Sequence, residues 1–211
     1  MKVEKGLLIF GLIILVSMAF VIVLKPSMQL PYSIKVWKDE ALENALNFLE
    51  KEGYKVEEST HYIVFKDDSN FVTFYYNYTR RAGKKLPLDI NEFPVKYWLI
   101  EFYSSKFNGS VGVDTYTGKI VYYECEVEPN MTLSYSEAYS TAKSFLKRLG
   151  YNVSAMELFV NKSQTLRGGT EYEFAWIVKS YPLEKESLEL VVEVKVTGRI
   201  VSYYKYYVLV P

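Results

Sequence analysis

The chain has 211 residues, in which 25 Lys and Arg balance 25 Asp and Glu, with one His and one Cys. Zero formal net charge and a pI near 6.6 exclude a protein built to coat nucleic acid, which needs a basic excess to displace counterions. One Cys cannot form an intrachain disulfide, and one Cys with one His cannot build an all-Cys/His zinc site.

From Leu7 to Leu24 the chain runs without a charge, bounded by Lys2, Glu4 and Lys5 before and by Lys25-Pro26 after. As a helix this segment covers about 27 Å, close to the roughly 30 Å hydrocarbon core of a bilayer. It predicts a transmembrane signal anchor, with residues 1–28 forming a cytoplasmic stub and the anchor. A cleaved signal peptide is the competing expectation, because Ser17-Met18-Ala19 resembles a small-x-small cleavage site. The apolar run continuing through Phe20-Val21-Ile22-Val23-Leu24 weighs toward the anchor. Both readings export the remainder of the chain, either as a single-pass protein of the cell membrane with its C-terminal part outside or as a secreted one. Asn-x-Ser/Thr occurs at Asn77, Asn108, Asn130, Asn152 and Asn161, all after the apolar segment. These are the candidate glycosylation sites, and five of nine Asn in such motifs favours an exterior face.

Glu40-Ala41-Leu42-Glu43-Asn44-Ala45-Leu46-Asn47-Phe48-Leu49 opens a stretch that returns from Glu137 at a constant offset, through Gly53-Tyr54 and Gly150-Tyr151. Eight of 17 positions are identical, which predicts a duplicated unit. Ala41, Leu42, Ala45, Phe48 and Leu49 recur at helical spacing, as do Ala138, Ala142, Phe145, Leu146 and Leu149, so each unit opens with an amphipathic helix. Asp39 and Ser136 or Ser134 suit as N-caps, and Gly53 and Gly150 as the residues that close the helices. Strands are expected near Thr60–Lys66, Asn70–Tyr78, Lys96–Tyr103, Gly109–Tyr116 and Lys119–Val127. In the second unit they fall near Ala155–Asn161, Glu171–Ser180, Ser187–Val196 and Arg199–Leu209. Thr117-Gly118 and Thr197-Gly198 mark matching tight turns, and the first unit is the longer. Its surplus is assigned to an inserted loop over 79–96, where Pro87 and Pro94 break any strand pattern.

The expected fold is α+β: an N-terminal transmembrane helix, then two repeated units over 29–130 and 131–211, each a helix packed on an antiparallel β-sheet. The helix ending in Gly-Tyr, with a late hairpin Val113-Asp114-Thr115-Tyr116-Thr117-Gly118-Lys119-Ile120 after it, resembles the tandem PepSY and YcdB-like repeat modules of secreted and membrane-anchored proteins. The second unit departs from that motif, with Val194-Lys195 where the first has Asp114-Thr115. The resemblance implies a noncatalytic, extracytoplasmic binding module, or alternatively a regulator or inhibitor of an extracytoplasmic or membrane peptidase.

No catalytic, cofactor-binding or metal-binding residues are assigned, and no cofactor is expected. A Cys125–His61 dyad is disfavoured because Glu124 and Glu126 would raise the pKa of a nearby thiol, the wrong direction for a nucleophile. Asp67-Asp68-Ser69-Asn70 lacks the spaced ligands and distal Glu of an EF-hand and reads as a hairpin turn. Arg167-Gly168-Gly169 lacks the Lys-Ser/Thr of a phosphate loop and reads as a turn. Arg80, Arg81, Lys84 and Lys85 are the one local basic cluster and the candidate contact to a protein partner or lipid headgroups. Partners are thus the membrane, through Leu7 to Leu24, and a protein, with no nucleic acid. Abundant Tyr, Lys and Glu with scarce Gln, Cys and His fit a heat-adapted source.

Overall fold

A computed structural model of the chain describes residues 32–56, 59–83, 86, 88–104, 107–128, 131–183 and 187–211. The expected anchor Leu7–Leu24 lies outside them, and among the described residues no helix is long and apolar enough to cross a membrane. Ser33–Pro211 make up one compact unit. Its elements run α1 (Lys38–Lys51), β1 (Thr60–Asp67), α2 (Ser69–Ala82), a 3-10 turn (Ile90–Glu92), β2 (Lys96–Tyr103), β3 (Asn108–Asp114) and β4 (Ile120–Cys125). They continue with α3 (Tyr135–Arg148), a second 3-10 turn (Val153–Ala155), β5 (Glu157–Leu166), β6 (Gly169–Pro182), β7 (Ser187–Thr197) and β8 (Ile200–Leu209).

The eight strands form a single antiparallel sheet in the order β1-β2-β3-β4-β8-β7-β6-β5. Where the sequence predicts a sheet for each half, the last strand of each half pairs with the other, Tyr122 opposite Lys205, Tyr123 opposite Tyr204 and Glu124 opposite Tyr203. An unpaired strand edge leaves a row of N–H and C=O groups without partners, and this junction pairs part of both edges through three residues each.

α1 lies over β2, β3 and β4, and α3 lies over β6, β7 and β8. Each buries four of the five residues in its predicted stripe, Ala41, Ala45, Phe48 and Leu49 on one and Ala138, Ala142, Phe145 and Leu146 on the other, while Leu42 and Leu149 are half-buried at the core's margin. Phe48 and Phe145 meet edge to face with centroids 6.3 Å apart, and both touch Tyr123, at 5.2 and 6.3 Å. Phe145 also packs on Tyr204 at 5.4 Å, so the register pair at the junction sits beneath both helices in one continuous core. Gly53 and Gly150 both have φ of 90°, the left-handed conformation that a Cβ disfavours and that ends each helix. Ser134 caps α3 in a capping box with Glu137. Asp39 does not cap α1. Trp37 holds that position with no side-chain bond, and Asp39 lies in the first turn, where its charge suits the helix dipole.

One predicted strand is a helix. Asn70–Tyr78 belongs to α2, and Asp67-Asp68-Ser69-Asn70 is its start rather than a hairpin turn. The Asp68 carboxylate accepts from the backbone N–H groups of Asn70 and Phe71 at 3.0 and 3.1 Å. Phe71 and Tyr75 are buried one turn apart. Phe71 stacks on Phe93 at 5.3 Å, and Phe93 reaches Tyr181 of β6 at 5.2 Å. A cap and a one-turn apolar spacing override the β propensity of an aromatic, β-branched run. Between β1 and β2 the chain therefore carries a helix and a 3-10 turn, and the segment 79–96 begins inside that helix. At the corresponding place of the second half, Arg167-Gly168 is a turn between β5 and β6, as the sequence predicts.

The two late hairpins differ as their sequences do. Asp114 is buried, and its carboxylate accepts from Tyr116 N and Thr117 N at 3.1 and 2.7 Å and from the Thr117 hydroxyl at 2.7 Å. The β7–β8 turn has no such acid. There the Thr197 and Ser202 hydroxyls, 2.9 Å apart, bridge the strand ends.

Candidate binding groove

Because α1 and α3 share one sheet face, a groove opens between them over the β4–β8 junction, with a volume of about 880 Å³. α1 contributes Asn44 and Lys51, the β3–β4 turn Lys119, the end of α3 Arg148, and the floor Tyr151 and Tyr206. Three cationic side chains thus face one carboxylate, Glu52, which Arg148 grips with Nε and Nη2 at 3.0 and 2.6 Å. This two-point pair ties the C-terminal ends of the two helices together, and its hydrogen bonds hold the Arg148 pKa above its ordinary value. Half-exposure of Arg148 keeps the pair weak in stability terms, so it acts chiefly as a latch. The Asn44 amide reaches the Gly118 carbonyl at 3.4 Å and fixes the turn that carries Lys119.

The floor is aromatic and neutral. Tyr151 and Tyr204 hydroxyls lie 2.7 Å apart, and Tyr204 also reaches the Ile120 carbonyl at 3.3 Å. Burial pushes Tyr151 up to about 12 and raises Tyr204 and Tyr206 well above the ordinary tyrosine value. A cationic rim over a neutral aromatic floor can hold an anionic group at its edge and an apolar or planar one beneath.

Of the basic cluster, Arg80 and Arg81 are exposed in the last turn of α2, where cations complement the helix dipole, and Lys84 and Lys85 lie outside the described residues. Arg81 lines a second groove of about 680 Å³ along α2, together with Asn77, Thr73 and Tyr78 and the chain end Val210-Pro211. The fold thus brings Asn77 and Arg81 together, while Arg80 stands apart from that groove. Asn152 is exposed ahead of the second 3-10 turn, and Asn161 is exposed on β5, where its amide donates to the Tyr135 hydroxyl at 3.2 Å. Asn108 is half-buried, its amide nitrogen already donating to Glu126 at 2.6 Å, and Asn130 lies outside the described residues.

The Cys–His pairing fails on distance. The register runs His61, Phe102, Gly109, Cys125 across four adjacent strands, so the two residues stand about 14 Å apart at the usual strand spacing. Cys125 is buried, with the Tyr123 and Tyr54 hydroxyls at 3.1 and 3.6 Å from its sulfur. Burial pushes the thiol up against the opposing pull of those two hydroxyls, and Glu124 adds to the rise. Among the described residues no group of three His, Cys, Asp or Glu is placed to hold a metal ion.

Lys51, Lys119, Arg148 and Tyr206 are not singled out by sequence reasoning. Part of their signal is in the duplicated markers: Gly150-Tyr151 after the second helix and Gly118-Lys119 in the first late turn both line the groove.

No protein-family model matches the chain, and no curated protein matches it. Among solved structures, the Bacillus megaterium YpeB C-terminal domain is similar over 82% of this chain and 64% of its own length, with a TM-score of 0.47 and 12% identity. The chain therefore spans less than two thirds of that structure.

Proposed function

We propose that the chain is a noncatalytic binding module of the cell exterior, held to the membrane through Leu7–Leu24, in which two PepSY-like repeated units grip a protein partner at the groove between their helices. The observation that carries this reading is the groove, whose walls come from both halves and whose rim sets Lys51, Lys119 and Arg148 against the single carboxylate Glu52. Duplication is supported by the eight identities at constant offset and by the matched buried stripes of α1 and α3. Placement outside the cell is supported by the apolar segment and by the sequons, of which Asn77, Asn152 and Asn161 have exposed side chains that a glycan could reach. The PepSY resemblance supports a narrower form in which the partner is an extracytoplasmic or membrane peptidase that the module restrains.

The test is photocrosslinking in native membranes from a probe at position 119, in the groove, and from one at position 162, on the opposite sheet face. A partner captured from 119 and not from 162, and lost in Lys51→Glu, supports the reading. The same adducts from both positions would remove the groove from the account, and identification of the adduct decides whether the partner is a peptidase.

A further inference from the structure

The two outer edges of the sheet are built differently. β5 is broken by a bulge between Leu158 and Val160 and continues as the polar run Asn161-Lys162-Ser163-Gln164-Thr165, which is how natural sheets protect an edge from foreign strands. β1 has no bulge, and its charges, Lys66 and Asp67, are confined to its last two residues. It pairs with β2 through eight consecutive residues with no irregularity, and Tyr62, Val64 and Phe65 are 60%, 41% and 39% exposed. Asp68 N–H donates to the Val95 carbonyl at 2.7 Å, one step beyond the paired residues 67 and 96. By strand alternation the even-numbered residues of β1 point their backbone groups at β2, so His61, Ile63, Phe65 and Asp67 turn theirs outward.

We propose that β1 is a self-association edge, where two copies of this chain pair β1 with β1 antiparallel about a two-fold axis through Val64. An axis normal to the sheet keeps its faces continuous, so only residues of the same parity can oppose one another. Centred on Val64, the pairing sets His61 opposite Asp67, Tyr62 opposite Lys66 and Ile63 opposite Phe65. An imidazole thus meets a carboxylate, an ammonium meets an aromatic ring, and the middle is apolar. Centred on Ile63 instead, Lys66 meets Thr60, His61 meets Phe65 and Asp67 meets Ser59, and the charge match disappears. The fold already joins its own halves by such an antiparallel edge contact, at β4 and β8. Pairing the same edge on both copies closes on itself, so association stops at two. A single strand pair buries less than the roughly 1,200 Å² of a standard stable interface, so the dimer is reversible.

The experiment is sedimentation of the full chain in detergent micelles over a dilution series, with Val64→Lys as the variant, because a lysine placed opposite itself repels. Wild type is expected to pass from dimer to monomer on dilution, and Val64→Lys to stay monomeric with an unchanged circular dichroism spectrum. Cysteine pairing gives a readout independent of affinity. Val64 faces its own copy across a non-hydrogen-bonded pair, about 4.5 Å between Cα atoms, which a disulfide can span. Mild oxidation of Val64→Cys should yield a covalent dimer, and His61→Cys mixed with Asp67→Cys should link where neither does alone. The buried Cys125 does not compete. A wild type that stays monomeric at every concentration, a dimer that survives Val64→Lys, or efficient linking by Ile63→Cys in place of Val64→Cys would overturn the proposal.

Discussion

Set side by side, the two halves agree inside and differ at the rim. α1 and α3 bury the same four residues, Ala, Ala, Phe and Leu, at the same spacing, both helices end on a glycine with φ of 90°, and after each glycine comes a tyrosine whose hydroxyl meets the core, Tyr54 at Cys125 and Tyr151 at Tyr204. Outside that shared interior the first half carries α2 and a 3-10 turn where the second has a two-residue turn, and a buried Asp114 where the second has Val194. Its outer edge strand pairs without irregularity and is apolar at its centre, Ile63-Val64-Phe65, where the other is bulged and runs polar from Asn161 to Thr165. The difference teaches that packing fixes the residues under the helices, while turns, edges and insertions are free to diverge once the core is satisfied.

The largest expected effect treats the halves as one. Burial pushes Tyr54, Tyr151 and Tyr207 up to about 12 and raises Tyr123, Tyr204 and Tyr206 further, against an ordinary value near 10. Between these values the folded state holds more protons than the unfolded one. The stabilisation is complete below about pH 10 and is lost as pH rises through 10 toward 12 and beyond. Alkaline titration should therefore show the exposed tyrosines ionising first and the core ones only as both halves unfold together; smooth ionisation of all of them before any loss of circular dichroism would break the shared-core account.

Next comes the ring pair at the centre. Phe145→Ala should cost about 3–5 kcal/mol and Phe48→Ala a similar amount, the cost of emptying a buried aromatic site. Denaturant midpoints of the single and double variants should reveal a coupling of about 0.5–1.5 kcal/mol for the contact between the rings. Strict additivity would mean that each helix packs only on its own half. A smaller effect separates the halves: Asp114→Ala should cost about 1–3 kcal/mol by removing the carboxylate that accepts three hydrogen bonds in the turn, whereas Val194→Ala, at a position with no turn bond to lose, should show ordinary large-to-small packing behaviour and leave the β7–β8 turn intact. Equal loss of turn order by amide chemical shifts would remove the distinction. The smallest effect is at the helix starts. Ser134→Ala should cost about 1 kcal/mol through its capping box, and Trp37→Ala, at a cap position without a side-chain bond, should leave α1 helicity unchanged.

The helices of the shared interior were legible because Ala, Ala, Phe and Leu at helical spacing with Gly after them leave little choice of structure. α2 was not, because Phe71-Val72-Thr73-Phe74-Tyr75-Tyr76 carries the composition of a strand, and only the Asp68 cap and the one-turn spacing of Phe71 and Tyr75 betray the helix. The single sheet was hidden for a different reason: no local pattern in Tyr122-Tyr123-Glu124 or Tyr203-Tyr204-Lys205 states which other strand will satisfy it. The groove inherits that blindness. Arg80, Arg81, Lys84 and Lys85 stand out because they are close in sequence, whereas Lys51, Lys119 and Arg148 become neighbours only after the halves join.

That junction is the central claim, since the groove exists only if the halves fold as one body. Native-state hydrogen exchange reads it directly through the amides of β4 and β8 on either side of the Tyr123–Tyr204 pair. The account predicts that these amides, with those of β3 and β7, exchange only through global unfolding and share one free energy and one denaturant dependence. Exchange of the β4–β8 amides at a markedly lower free energy than β3 and β7, with the two halves opening in separate transitions, would contradict it.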